Sequence, residues 1–295
     1  VTISPLRARS FAKINLLLSV LGRRADGYHD IQTVFQSIDL YDELEFKPSS
    51  RLELHCDSLA GLRPEDNLVW KAASLLLSHL PEKRGVSITL EKRIPAGAGL
   101  GGGSSNAAVT LLALRRFWNI EVPDSDLASI AARLGADVAY FLTGGLALGE
   151  GKGENIRPLP DTPRQHLVVI FPGVHISTAE AYGSLNLGLT SSTVDHRIQR
   201  FLGQVENGHY ALTGIFNDFE VSILPAYPPV SDAKSFLSAR GAIASLLSGS
   251  GSSVFGFFSN EESAFAAARA ADREGWRVFP AKTLSRAEYL QKMFG

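Results

Sequence analysis

The chain has 295 residues, room for two domains, and its 45% hydrophobic and 20% charged content describes a globular protein with sizeable cores. A net charge of −1 supplies no overall field toward nucleic acid or a membrane surface, so neither is expected as a partner. The single cysteine, Cys56, excludes an internal disulfide and a cysteine-built metal site and fits a reducing cytoplasm. No apolar run reaches the roughly 18 residues of a spanning helix, and the first residues lack the form of a signal peptide.

Residues 9–21 alternate as a strand, with Ala12, Ile14, Leu16, Leu18 and Val20 on one face and Phe11, Lys13, Asn15 and Leu17 on the other. Lys13 and Asn15 therefore point the same way, about 7 Å apart by the strand rise. They form either an exposed polar edge or the floor of a site. A polar turn from Gly22 to Gly27 leads into Tyr28-His29, which either fills a turn or binds an aromatic ligand. Strands are expected over 31–38, 43–46 and 51–56. Arg63–Asn67 carries capping chemistry for a helix over 68–80.

The strand 86–90 leads to Pro95-Ala96-Gly97-Ala98-Gly99-Leu100-Gly101-Gly102-Gly103-Ser104-Ser105-Asn106, with five glycines in seven residues. Such a backbone lets successive N–H groups close around an anion, and the following helix, with apolar residues at Ala107, Ala108, Leu111, Leu114 and Trp118, aims its dipole at the same point. Ser104 and Ser105 stand where that helix is expected to begin, as N-caps. The stretch lacks the Gly-Lys-Ser/Thr ending of a P-loop. It does match G-x-G-x-x-G through Gly97, Gly99 and Gly102, with Glu121 about 20 residues on, as a dinucleotide fold requires. Against that, the segment Glu91–Ala96 separates the strand from the first glycine, where a Rossmann unit turns tightly. A loop for a nucleoside triphosphate is the better reading, and a merely flexible turn the bland one.

A helix over 124–134 is followed by Gly135-Ala136-Asp137-Val138, where an acidic residue among small and apolar neighbours needs a partner or caps a helix. Three prolines in 157–163 mark a domain boundary, giving 1–160 and 161–295. Beyond it, a buried strand over 167–171, a helix over 179–185 capped by Ser177-Thr178, a polar loop over 188–196, and helices over 230–239 and 261–271 are expected. Asn217-Asp218-Phe219-Glu220 precedes an apolar run, and Ser248-Gly249-Ser250-Gly251-Ser252 forms a second glycine-serine turn.

Phe11-Ala12-Lys13-Ile14-Asn15-Leu16, Arg24-Ala25-Asp26-Gly27-Tyr28-His29, the glycine loop, Leu134-Gly135-Ala136-Asp137-Val138 and Ser248-Gly249-Ser250-Gly251 together resemble the GHMP small-molecule kinases. The matching blocks run from residue 9 to about residue 257. Lys13-Ile14-Asn15 followed by Asp26-Gly27-Tyr28-His29 narrows the likeness to the branch serving non-mevalonate isoprenoid synthesis. The resemblance implies an α/β (α+β) fold, an N-terminal domain for the nucleotide, a C-terminal GHMP-type domain, and an active site between them. It implies transfer of the ATP γ-phosphoryl, with Mg²⁺, to the C2 hydroxyl of an erythritol that carries cytidine diphosphate. Asp137 then matches the catalytic aspartate and Lys13 the lysine beside it. On the nucleotide side the resemblance sets Asn67, Lys92, Pro95, Gly97, Gly99, Leu100, Gly101, Gly102, Gly103, Ser104, Ser105 and Asn106. On the acceptor side it sets Asn15, Tyr28, His29, Thr178 and Tyr182. No direct protein ligand of the metal is assigned; Ser104 and Ser105 are candidates. A monomer or weak homodimer in the cytoplasm is expected.

Two departures stand out. Ser252 occupies a position often filled by proline, and Tyr182 one often filled by phenylalanine. Competing readings are another GHMP kinase acting on mevalonate or homoserine, an NAD(P)-dependent oxidoreductase, and a non-catalytic nucleotide sensor. Tyr28-His29 speaks against the first, since neither acceptor has a base to stack.

Overall fold

The computed structural model describes all residues except 1–3, 58–60, 62, 83, 186–194, 211, 213 and 273–275. The expected loop over 188–196 thus lies outside the described residues up to 194. Asp195, which follows, caps a helix by accepting from the Arg197 amide.

In chain order the first half runs β1 (Leu6–Arg23), β2 (His29–Pro48), β3 (Leu52–His55), α1 (Leu68–Ser78), β4 (Val86–Glu91), α2 (Gly102–Phe117), α3 (Asp124–Leu134), α4 (Ala136–Thr143), β5 (Leu146–Glu150) and β6 (Asn155–Pro158). The second half runs β7 (His166–Phe171), α5 (Thr178–Gly183), α6 (His196–Glu206), β8 (Phe216–Asn217), α7 (Glu220–Ala226), α8 (Pro228–Ala239), β9 (Ala244–Leu247), β10 (Val254–Phe258), α9 (Glu261–Asp272), β11 (Arg277–Lys282) and α10 (Arg286–Met293).

The long antiparallel pair β1 and β2 forms the spine of a seven-stranded sheet ordered β3-β4-β2-β1-β8, with β5 on the far part of β2 and β6 beside it. A separate antiparallel sheet is ordered β11-β7-β10-β9. β7 explains its own continuous apolar sequence: Leu167 and Val169 face the core between the two sheets, while Val168 and Ile170 face the core under α8 and α9. A strand buried on both faces needs no polar alternation. A third core packs α1, α2 and α4 on the first sheet, through residues such as Phe46, Leu76, Val109 and Phe141. Tyr289 and Met293 of α10 return from the end of the chain to join it.

Four sequence expectations are corrected here. The stretches 31–38 and 43–46 are one strand, because a register shift after Ile38 lets the ladder to β1 resume at Tyr41. The Asp39 carboxylate uses that break to accept from the Lys282 amide at 2.7 Å. The simple two-face alternation of β1 fails past Asn15, since a shift between Asn15 and Leu17 puts Leu16 and Leu17 into the same core. The serines do not cap α2: its N-cap is Gly101, in the left-handed region at φ +68°, and the Ser105 amide already donates to the Gly101 carbonyl at 2.8 Å. Nor does Asp137 cap α4, whose N-cap is Gly135; Asp137 lies in the first helical turn.

The topology also disposes of the dinucleotide reading. β4 runs antiparallel to β2, and β5, the next strand after α2, also pairs antiparallel with β2. β4 and β5 therefore run the same way but pair with separate stretches of β2 and not with each other, so the glycine loop joins no adjacent parallel strands as a Rossmann crossover does.

Candidate active site

The glycine loop is set by a buried carboxylate upstream of it. Asp42 is fully buried; its Oδ1 accepts from the amides of Arg93 and Ile94 at 2.7 and 2.8 Å. Its Oδ2 accepts from Lys92 Nζ at 2.5 Å and from Asn106 Nδ2 at 2.9 Å. Asn106 Nδ2 reaches Ser10 Oγ as well, and Ser10 Oγ donates to Ser105 Oγ at 2.7 Å. This network joins β1, β2, the end of β4 and the first turns of α2, so it fixes both ends of the loop. Removing one partner of such a buried pair strands the other charge. Asp42→Ala should therefore cost about 3–5 kcal/mol of stability in urea unfolding; a loss below about 1 kcal/mol would contradict the role given to the network.

Between those ends the loop is held from both sides. A side chain at Gly99 would fall 2.1 Å from the Ser248 carbonyl oxygen, and one at Gly101 would fall 2.7 Å from the Phe141 ring. The Lys13 amide donates to the Leu100 carbonyl at 3.0 Å, and Ser248 Oγ donates to the Gly99 carbonyl at 3.0 Å. Gly103, one residue into α2, is different: a Cβ there meets only Leu68 Cδ1 at 3.5 Å and would stand at the open helix N-terminus. That opening is where unpaired N–H groups and the helix dipole favour an anion.

Lys13 is 3% exposed, which excludes a solvent-facing polar edge. Its Nζ donates to Asn15 Oδ1 at 2.6 Å and lies 3.6 Å from Asp137 Oδ2. Asn15 in turn donates to Thr33 Oγ1 at 2.7 Å, which fixes its carboxamide with the oxygen toward the lysine. Burial pushes the Lys13 amine below the ordinary lysine range, while the Asp137 carboxylate opposes that shift by charge and hydrogen bond. The result is a positioned cation paired with a carboxylate whose side chain is still 36% exposed at the cleft.

The cleft holds about 1500 Å³ and is lined from both halves of the chain. At the end away from the glycine loop lies an aromatic group. His29 stacks on Tyr182, with centroids 4.6 Å apart and planes 12° apart, and Tyr182 meets Phe219 edge-on. Burial, then the Asp137 charge, pushes the Tyr182 hydroxyl up to about 12, so it stays protonated. Burial and the nearby Arg23 lower the His29 imidazole below the ordinary histidine range. Tyr28 is 59% exposed, with Lys152 Nζ 4.2 Å from its ring centre.

Of the residues singled out from sequence, Lys13, Asn15, Tyr28, His29, Pro95, Gly97, Gly99, Gly101, Gly102, Gly103, Ser104, Asp137, Thr178 and Tyr182 line this one cleft. Five do not. Asn67 caps α1 by accepting from the Val69 amide, Leu100 is in the core between the sheets, and Lys92, Ser105 and Asn106 belong to the Asp42 network. Sequence reasoning missed Asp42, Lys152 and His175. Asp42 had a signal, since it shares the inward parity of Leu44 and Phe46 on β2 and a carboxylate there requires a partner. His175 closes on Gly97, where a Cβ would strike its Cε1 at 2.3 Å. Ser252, where proline is often found, has a buried hydroxyl that donates to the Val174 carbonyl and ties down the turn. Among the described residues no group of three His, Cys, Asp or Glu side chains is placed to hold a metal ion.

The GHMP kinases N terminal domain family matches residues 67–145, and the GHMP kinases C terminal family matches 203–277. A 4-diphosphocytidyl-2-C-methyl-D-erythritol kinase of Syntrophus aciditrophicus (strain SB) is 42% identical over 281 residues, covering 95% of this chain and 99% of the relative. One from Chlorobium limicola (strain DSM 245 / NBRC 103803 / 6330) is 44% identical over 275 residues, covering 93% and 96%. A crystal structure of 4-(cytidine 5'-diphospho)-2C-methyl-D-erythritol kinase superposes with a TM-score of 0.80 at 36% identity, covering 94% of this chain and 99% of that one.

Proposed function

This chain belongs to the GHMP kinases, and from that premise we propose that it transfers the γ-phosphoryl of ATP to the C2 hydroxyl of 4-diphosphocytidyl-2-C-methyl-D-erythritol, a step of non-mevalonate isoprenoid precursor synthesis. The observation that carries the reading is the Lys13–Asp137 pair standing in one cleft between an open helix N-terminus and a stack of aromatic rings. Residues 1–160 supply the glycine loop, the Lys13–Asp137 pair, Tyr28 and His29, and 161–295 add Thr178, Tyr182 and the Gly249–Gly251 turn, with α10 returning to the core against the first sheet. No helix among the described residues is long and apolar enough to cross a membrane, and a cytoplasmic setting suits a soluble phosphorylated substrate.

Phosphoryl transfer is governed by positioning and charge stabilisation. The amides of the glycine loop and of the first turn of α2 hold the ATP phosphates. Asp137 orients the acceptor hydroxyl and takes its proton as the new P–O bond forms and the bond to the β-phosphate oxygen breaks, releasing ADP. Lys13 pairs with Asp137 and offsets charge on the transferring group. Mg²⁺ bound with the nucleotide would neutralise phosphate charge, and Ser104 of α2, which lines the cleft while Ser105 is committed to Ser10, would be the serine of that helix able to hold it.

Acceptor choice rests on the cytidine diphosphate handle, because a four-carbon polyol has few groups to grip. Tyr28 offers a stacking face worth roughly 1–3 kcal/mol. The Tyr182 stack fixes the plane of His29, whose two ring nitrogens can donate to and accept from the base edge. Lys152, between Tyr28 and Asp26, offers a cation to the diphosphate. Tyr28→Ala and His29→Ala should raise the acceptor KM by about tenfold or more and leave the ATP KM alone. His29→Ala should also narrow the preference for the cytidine over the uridine acceptor. Because burial and the nearby Arg23 hold the His29 imidazole below the ordinary histidine range, the fall in acceptor kcat/KM on acidification should be centred below that range. Measuring kcat/KM for both acceptors against pH decides this; a fall centred above pH 7 would remove His29 from base recognition.

A further inference from the structure

We propose that Asn217 is a positioning residue for phosphoryl transfer: its carboxamide fixes the Gly249–Gly251 turn against Lys13 and the glycine loop. The inference rests on the reading above and deepens it.

Asn217 is far in sequence from every residue of the reaction, yet β8 places it directly beside them. β8 joins the first sheet as a parallel edge to β1, with Phe216 opposite Leu17 and Asn217 opposite Leu18, just past Lys13 and Asn15. The side chain is 5% exposed, and each end of its carboxamide is used. Nδ2 donates to the Leu247 carbonyl at 2.9 Å and to the Gly249 carbonyl at 2.7 Å, while Oδ1 accepts from the Phe219 amide at 3.0 Å. With both donor hydrogens spent on backbone carbonyls, the group acts on the turn and not on a ligand.

The turn it grips touches the reacting groups. A Cβ on Gly249 would lie 3.2 Å from Lys13 Nζ, 3.2 Å from the Gly99 carbonyl oxygen and 3.4 Å from Asn15 Oδ1. One residue earlier, Ser248 Oγ holds the Gly99 carbonyl, and beyond the turn the Ser253 amide donates to the Ala98 carbonyl at 3.1 Å. A shift of the Gly249 backbone therefore moves the phosphate loop and the lysine together. The neighbours of Asn217 brace the same place. Asp218 Oδ2 accepts from the Val20 amide at 2.9 Å, and Glu220 Oε1 accepts from the Leu247 amide at 2.8 Å. Of these three side chains, Asn217 is the one that reaches a carbonyl of the turn itself. The chemistry also requires an amide: an aspartate of the same shape would set an oxygen against two carbonyl oxygens and remove both donors.

The test compares wild type with Asn217→Ala and Asn217→Asp, using kcat per folded molecule at 20 °C. At pH 8 both variants should lose about 10- to 100-fold in kcat, the scale expected when reacting groups are misplaced by an ångström or less. Lowering the pH from 8 to 6 should recover part of the loss in Asn217→Asp alone, because a buried carboxyl facing carbonyls takes up a proton and regains one donor. The ratio of Asn217→Ala to wild type should stay flat over that range. A purely structural role would lower the melting temperature of both variants and leave kcat per folded molecule unchanged. The proposal is overturned by an Asn217→Ala kcat within threefold of wild type, or by the same pH ratio in both variants. It is equally overturned if neither variant folds, since the amide would then be holding the fold. Failure of the wild-type protein to phosphorylate the cytidylyl acceptor would instead reject the underlying function.

Discussion

Asp137→Asn should lower kcat by about 10²–10⁴ while the affinity for ATP stays within about threefold, the signature of a lost general base. The geometry makes this a clean substitution. Asp137 sits in the first turn of a short helix, is still 36% exposed, and touches Lys13 Nζ at 3.6 Å without capping any backbone group. The carboxamide keeps the shape and removes the proton acceptor. Lys13→Met should also lower kcat, and the double variant should lose less than the product of the two separate losses, because the pair acts as one unit. Fully multiplicative losses would mean that the two side chains act independently. An Asp137→Asn enzyme retaining a third of wild-type turnover would remove the carboxylate from the mechanism.

Gly103→Val should weaken ATP binding by at least about 100-fold, or ~2.7 kcal/mol, without unfolding the chain. The choice of glycine matters. At Gly101 a side chain would strike Phe141 and Lys13 and would sit at φ +68°, so any loss of binding there would be mixed with a loss of packing. Gly103 has helical backbone, is exposed, and has only Leu68 Cδ1 at 3.5 Å beside its would-be Cβ. Valine is no worse than glycine in a helix, so the fold tolerates it. What it fills is the space in front of the first amides of α2, where the phosphates are proposed to lie. Titration of the variant with ATP, with circular dichroism held native, is the check. Unchanged affinity would show that the phosphates are cradled elsewhere.

The parts of the site that could be read from sequence are those fixed by local rules. Strand parity put Lys13 and Asn15 on one side, and the run of glycines marked a backbone stripped for an anion. What escaped depended on partners distant in sequence. Ser104 and Ser105 look like helix caps until Gly101 is seen to take that place through a left-handed backbone, leaving Ser105 to pair with Ser10 across 95 positions. Lys92 and Asn106, set on the nucleotide side, are both held by Asp42 on another strand, a contact no motif announces. Two strands merged into β2 because a bulge is a register event between strands, invisible to periodicity within one. The Asn217–Glu220 run carried no motif signal of its own, since its meaning lies in the backbone groups it meets at Val20, Leu247 and Gly249.

The most direct test of the account is product analysis after incubating the protein with Mg²⁺·ATP and three acceptors in separate reactions: 4-diphosphocytidyl-2-C-methyl-D-erythritol, free 2-C-methyl-D-erythritol, and mevalonate. Phosphorus NMR and mass spectrometry identify what is phosphorylated and at which carbon. The account predicts stoichiometric ADP and a single new phosphomonoester on C2 of the cytidylyl compound, with turnover of the other two lower by at least about 10⁴-fold, as expected when binding groups of the site are left unpaired. Comparable turnover of free methylerythritol or mevalonate, or phosphorylation at another hydroxyl, would contradict it.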